Sequence, residues 1–129
     1  MSNIAIHGFG RIGRSAMRAA LNKGLFVPFS ISDIKDLPTL AALFEVDSNY
    51  GRWSEPVAAQ DGTLVVGERS IRFFDTGKEL PDWKALNVEL VLDCTGRATT
   101  RTVAQAHLDR GAQRVLVSAA SKTSLILVR

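Results

Sequence analysis

The sequence has few of the features that mark several classes of protein. It contains one cysteine, Cys94, among 129 residues, so an intrachain disulfide and a cysteine-rich metal site are excluded and a reducing compartment is favoured. It lacks any apolar run of the roughly 18 residues that a membrane-spanning helix needs. The first residues lead directly into a predicted strand and leave no room for a secretory signal. We therefore expect a cytoplasmic protein with no membrane partner.

An excess of one charge is also lacking. The chain has 16 basic and 13 acidic residues, a net charge of +3, without the clustered excess expected of a dedicated nucleic-acid binder. Hydrophobic residues make up 46% and charged residues 22%, which is close to the globular average and argues against disorder. A length of 129 residues suits one domain with its own core.

The pattern of apolar residues predicts alternating strands and helices. Strands are predicted at residues 3–7, 26–32, 88–93, 114–118 and 125–128, and helices at residues 11–23, 37–44 and 100–110. Residues 47–54 are predicted to form a loop. Residues 57–74 contain two turn signals, Asp61-Gly62 and Gly67-Glu68, and are predicted to form an antiparallel meander. This order predicts an α/β, Rossmann-like doubly wound fold: a mostly parallel sheet with a small meander insertion and an incomplete last strand.

A glycine-rich motif joins the first predicted strand to the first predicted helix. In a G-x-G-x-x-G motif in this context, the first glycine permits a tight turn, the second lets a pyrophosphate approach the backbone, and the third lets the helix pack closely on the strand. The helix N-terminus also offers N–H groups and partial positive charge to phosphates. The motif residues are candidate cofactor-binding residues: Gly8, Phe9, Gly10, Arg11, Ile12 and Gly13.

Asp33 lies twenty residues beyond Gly13, at the end of the second predicted strand. A carboxylate at this position can accept hydrogen bonds from the adenosine ribose and would repel a 2′-phosphate, which favours NAD over NADP. The alternative is an aspartate that caps a turn or helix ahead of Lys35. That lysine leaves NADP open as a cofactor.

Three further candidates follow strands. Thr95 and Gly96 end one predicted strand and Ser118 ends the next, so all three would lie at the edge where doubly wound sheets bind ligands. Arg11, at the first helical turn, could add charge-assisted bonds to a pyrophosphate, or could be a solvated surface arginine.

The candidates for catalysis are few. Cys94 ends an apolar strand and is interpreted as a small buried hydrophobe, because nothing in the sequence places a base beside it. His107 is interpreted as a surface or packing histidine. His7 ends the first strand against the glycine motif and could contact the cofactor. The sequence predicts no catalytic residue and no metal ligand.

Several longer segments extend this motif into a family pattern. In chain order, these segments are residues 4–14, Asp-Ser and Tyr-Gly-Arg-Trp within residues 47–53, Asp-Cys-Thr-Gly at 93–96, Ala-His-Leu at 106–108 and Arg-Val-Leu-Val-Ser-Ala at 114–119. Together they resemble the cofactor domain of phosphorylating glyceraldehyde-3-phosphate dehydrogenases and their erythrose-4-phosphate relatives, from residue 3 to about residue 123. His7, Ser32 and Gly77 depart from the family pattern.

The resemblance implies roles for these residues. Arg11 and Ile12 would contact the NAD pyrophosphate, Asp33 the adenosine ribose, Thr95 and Gly96 the adenosine-side phosphate region, and Ser118 the nicotinamide end. It also implies that the family's nucleophilic cysteine and activating histidine lie beyond residue 129. We therefore expect residues 1–129 to form a C-terminally truncated NAD-binding domain that lacks the catalytic domain.

The expected function follows from that resemblance. Such a chain would bind NAD without catalysis, would meet a sugar-phosphate aldehyde only if a catalytic domain is present, and would form a homo-oligomer. Whether the chain counts as an enzyme stays open. One alternative is a non-catalytic nucleotide- or RNA-binding module that uses arginines 97, 101, 110 and 114; another is the cofactor domain of a different dehydrogenase, such as the aspartate-semialdehyde type.

Overall fold

The computed structural model describes residues 3–77, 79–96 and 101–118, apart from the side chain of Arg101. This part of the chain forms three helices: α1 (Arg11–Asn22), α2 (Leu37–Glu45) and α3 (Arg101–Asp109). Its strands are β1 (Ile4–His7), β2 (Ser30–Asp33), β3 (Val46–Asp47), β4 (Gly51–Arg52), β5 (Val57–Gln60), β6 (Thr63–Val66), β7 (Arg69–Asp75), β8 (Leu90–Asp93) and β9 (Arg114–Val117). None of the described helices combines the length and the apolar character needed to cross a membrane.

The main sheet has seven strands in the order β5-β6-β7-β2-β1-β8-β9. The five strands from β7 to β9 run parallel, whereas β5, β6 and β7 pair antiparallel as the predicted meander. The chain builds outward from β1 to β2 and β7, and then returns to the other side of β1 with β8. The order of strands therefore reverses between β1 and β8, and their carboxyl ends frame a crevice where ligands bind in doubly wound folds.

Helices cover both faces of the sheet because successive side chains of a strand point to opposite faces. In β1, Ile6 joins a core that includes Met17 of α1 and Leu40 of α2. Its neighbour Ala5 joins a second core on the other face, with Ala104 of α3 and Trp83. The doubly wound α/β fold predicted from the sequence is confirmed.

The second predicted strand was placed too early. Residues 26–29 lead into β2, and Pro28 lacks the N–H that a ladder residue would donate. Within this stretch Val27 is exposed, whereas Phe29 packs against the second core. The strand itself begins only at Ser30.

The predicted loop at residues 47–54 contains a two-stranded hairpin instead, formed by β3 and β4. Its turn is held by Asp47, whose Oδ1 accepts hydrogen bonds from the N–H groups of Asn49 and Tyr50, at 2.7 and 2.9 Å. Gly51 then adopts a positive φ of 81°. The prediction missed the hairpin because its strands have two residues each and show no periodicity. The strand predicted at residues 125–128 lies outside the described residues.

Candidate cofactor-binding site

A cavity of about 370 Å³ lies at the carboxyl ends of β1, β2 and β8. Four of the sequence candidates line it: Gly8, Gly10, Asp33 and Thr95. The exposed side chain of Ile34 and the buried ring of His7 also line this cavity, which we call the crevice. Its volume falls within the range of about 300–1,000 Å³ that small-molecule sites usually have.

The three motif glycines have different surroundings. Gly8 has a φ of 92°, and a Cβ atom there would lie 2.8 Å from the backbone nitrogen of Thr95. A Cβ on Gly13 would overlap the carbonyl oxygen of Gly8, so α1 packs directly against the turn. A Cβ on Gly10 would meet no atom within 4 Å. The space over Gly10 is therefore open on the crevice side of the turn, where the motif would bring a pyrophosphate against the backbone.

The start of α1 suits an anion. Its N-cap residue is Gly10, and no side chain caps the N–H groups of the first turn. Such groups carry partial positive charge and need partners, which phosphate oxygens can provide. Arg11, the first residue of the helix, is exposed beside them.

The remaining candidates lie around the crevice rather than on its lining. Phe9 is fully buried and stacks on Phe44 with ring centroids 5.9 Å apart. Ile12 packs against the same core. Gly96 follows Thr95 with a φ of 74°, and Ser118 follows β9 and donates its N–H to the carbonyl of Asp93 at 3.0 Å. Phe9 and Ile12 thus support the motif from beneath, whereas Gly96 and Ser118 lie at the carboxyl edge of the sheet.

Asp33 is held by two backbone N–H groups. Its Oδ2 accepts from Phe9 at 2.7 Å and its Oδ1 from Lys35 at 2.9 Å. The turn-capping alternative considered for Asp33 is therefore present, although the residue also lines the crevice. The bond to Phe9 fixes the carboxylate relative to the glycine turn, so one side chain joins the end of β2 to the proposed phosphate site.

The sequence did not reveal a buried hydrogen-bond chain beneath the crevice. Trp83 Nε1 donates to His107 Nδ1 at 3.1 Å, and His107 Nε2 lies 2.8 Å from Asp93 Oδ2. Asp93 Oδ1 in turn accepts from the N–H and hydroxyl groups of Thr95, at 3.0 and 2.7 Å. Because the indole can only donate, His107 Nδ1 accepts, and Nε2 carries the proton that His107 donates to Asp93. The chain links α3 to the crevice residue Thr95.

His107 and Asp93 have 0% and 1% of their surface exposed. The surface interpretation of His107 is therefore wrong, and its packing role includes two hydrogen bonds. The sequence placed only His7 and Asp93 side by side, at the ends of neighbouring strands, and gave no signal that His107 would join them.

His7 is a second buried histidine in this region. Its Nδ1 shares a hydrogen bond with Ser32 Oγ at 2.8 Å, and its ring contacts His107 edge to face with centroids 4.8 Å apart. Burial, and then the neighbouring His107, lower the pKa of His7 from 6.5 to about 4, although Asp93 and Asp33 oppose the shift. His7 is therefore neutral at physiological pH.

The donor atoms of His7, Asp93 and His107 lie within 4.8 Å of one another, a spacing that a metal ion could bridge. The hydrogen bonds do not fit a metal. Both ring nitrogens of His107 are engaged, one by the indole of Trp83 and one by the proton shared with Asp93. Binding an ion through Nε2 would require His107 to lose that proton while Nδ1 still accepts from Trp83, which demands an imidazolate. The group functions as a hydrogen-bond network.

Cys94 is buried, as predicted. It has 7% of its surface exposed and packs in the core with Ile6 and Phe9. Burial, with a smaller contribution from the charge of Asp93, raises the pKa of the thiol to about 12. Because the thiolate is the nucleophilic form, Cys94 is not a nucleophile near neutral pH.

The lowered pKa of His7 predicts acid sensitivity. The unfolded chain binds a proton at His7 near pH 6.5 and the folded chain only near pH 4, so stability is fully present above pH 6.5 and is lost as the pH falls toward 4. The loss attributable to His7 is up to ~3 kcal/mol. Urea unfolding at pH 7 and pH 4.5 measures it. His7→Asn should flatten this dependence, whereas an unchanged pH profile in that variant would assign the sensitivity to other groups.

The parallel sheet, the glycine turn opening α1 and the carboxylate ending β2 define the chain as a dinucleotide-binding domain of the doubly wound class. Comparison with known proteins gives the family. Residues 2–101 match the family model described as the NAD binding domain of glyceraldehyde 3-phosphate dehydrogenase. The chain belongs to this family and carries its NAD-binding domain.

Individual relatives agree with the family model. The chain is 37% identical to a glyceraldehyde-3-phosphate dehydrogenase of Clostridium acetobutylicum over 97% of its length and 41% identical to that of Chlamydia pneumoniae over 92%. It is 39% identical to glyceraldehyde-3-phosphate dehydrogenase 1 of Drosophila melanogaster over 99% of its length. The chain spans 36–39% of the length of these relatives.

Proposed function

We propose that residues 1–129 form a single domain that binds NAD in the crevice, with the pyrophosphate against Gly10 and the first turn of α1. The observation that carries this assignment is the contrast within the motif: Gly13 is in tight contact with the turn, whereas the space over Gly10 is open. The 370 Å³ crevice and the uncapped helix start fit the phosphates of a dinucleotide.

The other candidate residues have proposed roles on either side of the pyrophosphate. Asp33 accepts hydrogen bonds from the adenosine ribose, and Ile34, exposed on the crevice wall beside it, offers an apolar surface to adenine. Arg11 and Ile12 act at the pyrophosphate, Thr95 and Gly96 at the adenosine-side phosphate, and Ser118 at the nicotinamide end. Phe9 donates its N–H to Asp33 and thereby fixes the turn. When bound, NAD supplies a hydride acceptor.

The activity of the full-length protein is also a proposal. We propose that this domain serves the oxidation of a sugar-phosphate aldehyde, coupled to phosphorylation, in a cytoplasmic homo-oligomer that includes a catalytic domain. Cys94 is the one cysteine among the 129 residues and is a buried thiol, so these residues supply cofactor binding and no thiolate. We therefore expect the 129-residue chain to bind NAD without dehydrogenase activity.

Cofactor preference tests the role of Asp33. Calorimetry should show NAD binding more tightly than NADP to the unmodified chain. Asp33→Asn keeps the size of the side chain, but it removes the charge and replaces one accepting oxygen with an NH2 group. NAD affinity should therefore fall, and the ratio of NADP to NAD affinity should rise about tenfold. Lys35→Gln is the matched control: it removes a neighbouring charge of opposite sign, so it should not raise the ratio of NADP to NAD affinity. Absence of NAD binding, or tighter NADP binding to the unmodified chain, would contradict the proposal.

The RNA-binding alternative gains no support from the described residues. Arg97 and the Arg101 side chain lie outside them, and Arg110 forms an ion pair with Glu79 at 3.1 Å. Arg114 is exposed. Salt-sensitive retention of RNA that NAD does not displace would favour this alternative over the dehydrogenase assignment.

A further inference from the structure

A second cavity, of about 470 Å³, lies between α1 and the β3–β4 hairpin with the two residues that follow it. It shares no lining residue with the crevice. Three of its lining residues are cationic, namely Arg18, Lys23 and Arg52, and none of its described lining residues is acidic. We call it the basic cavity. Its wall also includes the aromatic side chains of Tyr50 and Trp53.

Arg18 is an unusual residue in the basic cavity. Only 7% of its surface is exposed, yet no described carboxylate lies within the 4 Å of an ion pair. Its Nη2 donates to the carbonyls of Phe44 and Gly51 at 2.6 and 3.1 Å. Its Nε is buried without a hydrogen-bond partner. The guanidinium is therefore held in place by neutral groups, and no described carboxylate contacts it directly.

Neutral partners offset only part of the cost of that charge. The guanidinium carbon lies 5.2 Å from the ring of Phe44 and 5.4 Å from that of Trp53. Such cation–π contacts are weaker than the penalty for burying an ion. The charge of Asp47 interacts with Arg18 through space and helps to lower the pKa of Asp47, but its Oδ1 accepts from Asn49 and Tyr50. An anion in the cavity would add an opposite charge in direct contact with the cations.

Two exposed cations add positive charge to the basic cavity. Lys23, the C-cap residue of α1, and Arg52 are both exposed. Arg52 lies 3.5 Å from Glu45 in a contact that is largely solvated, so it keeps donors for a further partner. Ser15 and Ser54 add hydroxyl groups to the wall. The basic cavity therefore combines one buried charge with two exposed charges and neutral donors around an open volume.

We propose that the basic cavity binds a phosphate-bearing small molecule, with Arg18 beneath it and Lys23 and Arg52 closing over it. A phosphate carries a charge of about −1.5 to −2 and three acceptor oxygens, which matches several cations better than a carboxylate does. This site is separate from the crevice, and the proposal does not depend on NAD binding.

Amide NMR of the full 129-residue chain tests the proposal. Inorganic phosphate is titrated at constant ionic strength with NAD present, so that NAD competes with phosphate for the glycine turn. Saturable shifts are expected at Ser15, Lys23 and Ser54. Shifts confined to residues 8–13, or the absence of saturation, would overturn the proposal.

Charge-removing variants test which cations take part. Lys23→Gln and Arg52→Gln should each raise the phosphate Kd about fivefold. Arg114→Gln removes the same charge at an exposed position outside the cavity and should leave the Kd unchanged. Equally weakened phosphate binding in all three variants would show that binding depends only on net charge, and it would overturn the proposed site. Arg18→Met also removes a buried structural contact, so the two exposed residues carry the test.

Other anions identify the chemistry. Acetate at equal ionic strength should produce no saturable shift at Ser15 or Lys23, and binding as tight as that of phosphate would overturn the assignment to phosphate. Adenosine monophosphate distinguishes the sources of the phosphate. If adenosine monophosphate binds more tightly than inorganic phosphate, the ligand is a phosphomonoester whose ring contacts Trp53. If it binds more weakly, the ligand is free phosphate. Either outcome supports a phosphate site in the basic cavity.

Discussion

Gly13→Ala is expected to lower the free energy of unfolding by about 3 kcal/mol or more and to abolish NAD binding. The new methyl group would overlap the carbonyl oxygen of Gly8 and lie 3.3 Å from Ile6 Cγ2. Neither neighbour can move easily, because one is backbone and the other is fully buried in the core. Relief requires α1 to move away from β1, which would also displace the N–H groups proposed to bind the pyrophosphate. Urea unfolding monitored by tryptophan fluorescence, together with calorimetry of NAD binding, measures both effects.

Gly10→Ala is the matched control because it adds the same methyl group within the same turn. Gly10 has a φ of −78° and open space around its Cβ position, so the change in stability should stay within about 1 kcal/mol. NAD affinity should nevertheless fall at least tenfold, because the methyl group would occupy the position proposed for the pyrophosphate. Full NAD affinity in Gly10→Ala would place the pyrophosphate elsewhere. Normal stability in Gly13→Ala would show that α1 does not need its close approach to the turn.

His107→Leu is expected to cost about 3–5 kcal/mol of stability. The substitution removes the donor to Asp93 and the acceptor for Trp83 Nε1, and it leaves both groups buried. Most of this cost comes from Asp93 Oδ2, which would stay buried without its donor while Oδ1 keeps the hydrogen bonds from Thr95. Gln105→Leu on the same helix is the control: Gln105 is exposed and bonds only to Asp109 among the described side chains, so its loss should cost no more than about 0.5 kcal/mol.

The effect of His107→Leu should also depend on pH. Burial raises the pKa of Asp93, but hydrogen bonds from His107 and Thr95 outweigh it and hold the pKa below 3.8. Asp93 therefore contributes stability above pH 3.8 that is lost as the pH falls through its folded pKa. In the variant, Asp93 has lost the hydrogen bond from His107, so protonation of its buried carboxylate relieves a poorly compensated charge, and the stability difference from the unmodified chain should narrow in acid. A constant difference would assign the cost of the substitution to packing alone.

The crevice could be located from the sequence because its determinants are local. The glycine motif and the carboxylate twenty residues later each lie next to a strand end, and strand–helix alternation is enough to place those ends at one edge of a sheet. The meander was predictable for a similar reason. Asp61 and Gly62 both adopt positive φ angles of the kind that a tight hairpin turn requires.

The basic cavity and the buried chain could not be found in this way. Arg18 is four residues from Arg14 on one face of α1, and it is buried because Phe44, Trp53 and the hairpin pack over that face. Trp83, His107 and Thr95 lie on separate segments that meet around Asp93. No periodicity links them, because their contacts depend on how α3 packs on the sheet.

The sequence by itself determined the class of fold, the glycine turn, the candidate carboxylate and the family resemblance, since each rests on residues close together in the chain or on their order. The tertiary structure alone decided that His107 and Arg18 are buried, that Asp33 is tied to the glycine turn, and that three cations surround a second cavity. The physical reason is that burial and charge compensation depend on which distant segments pack together.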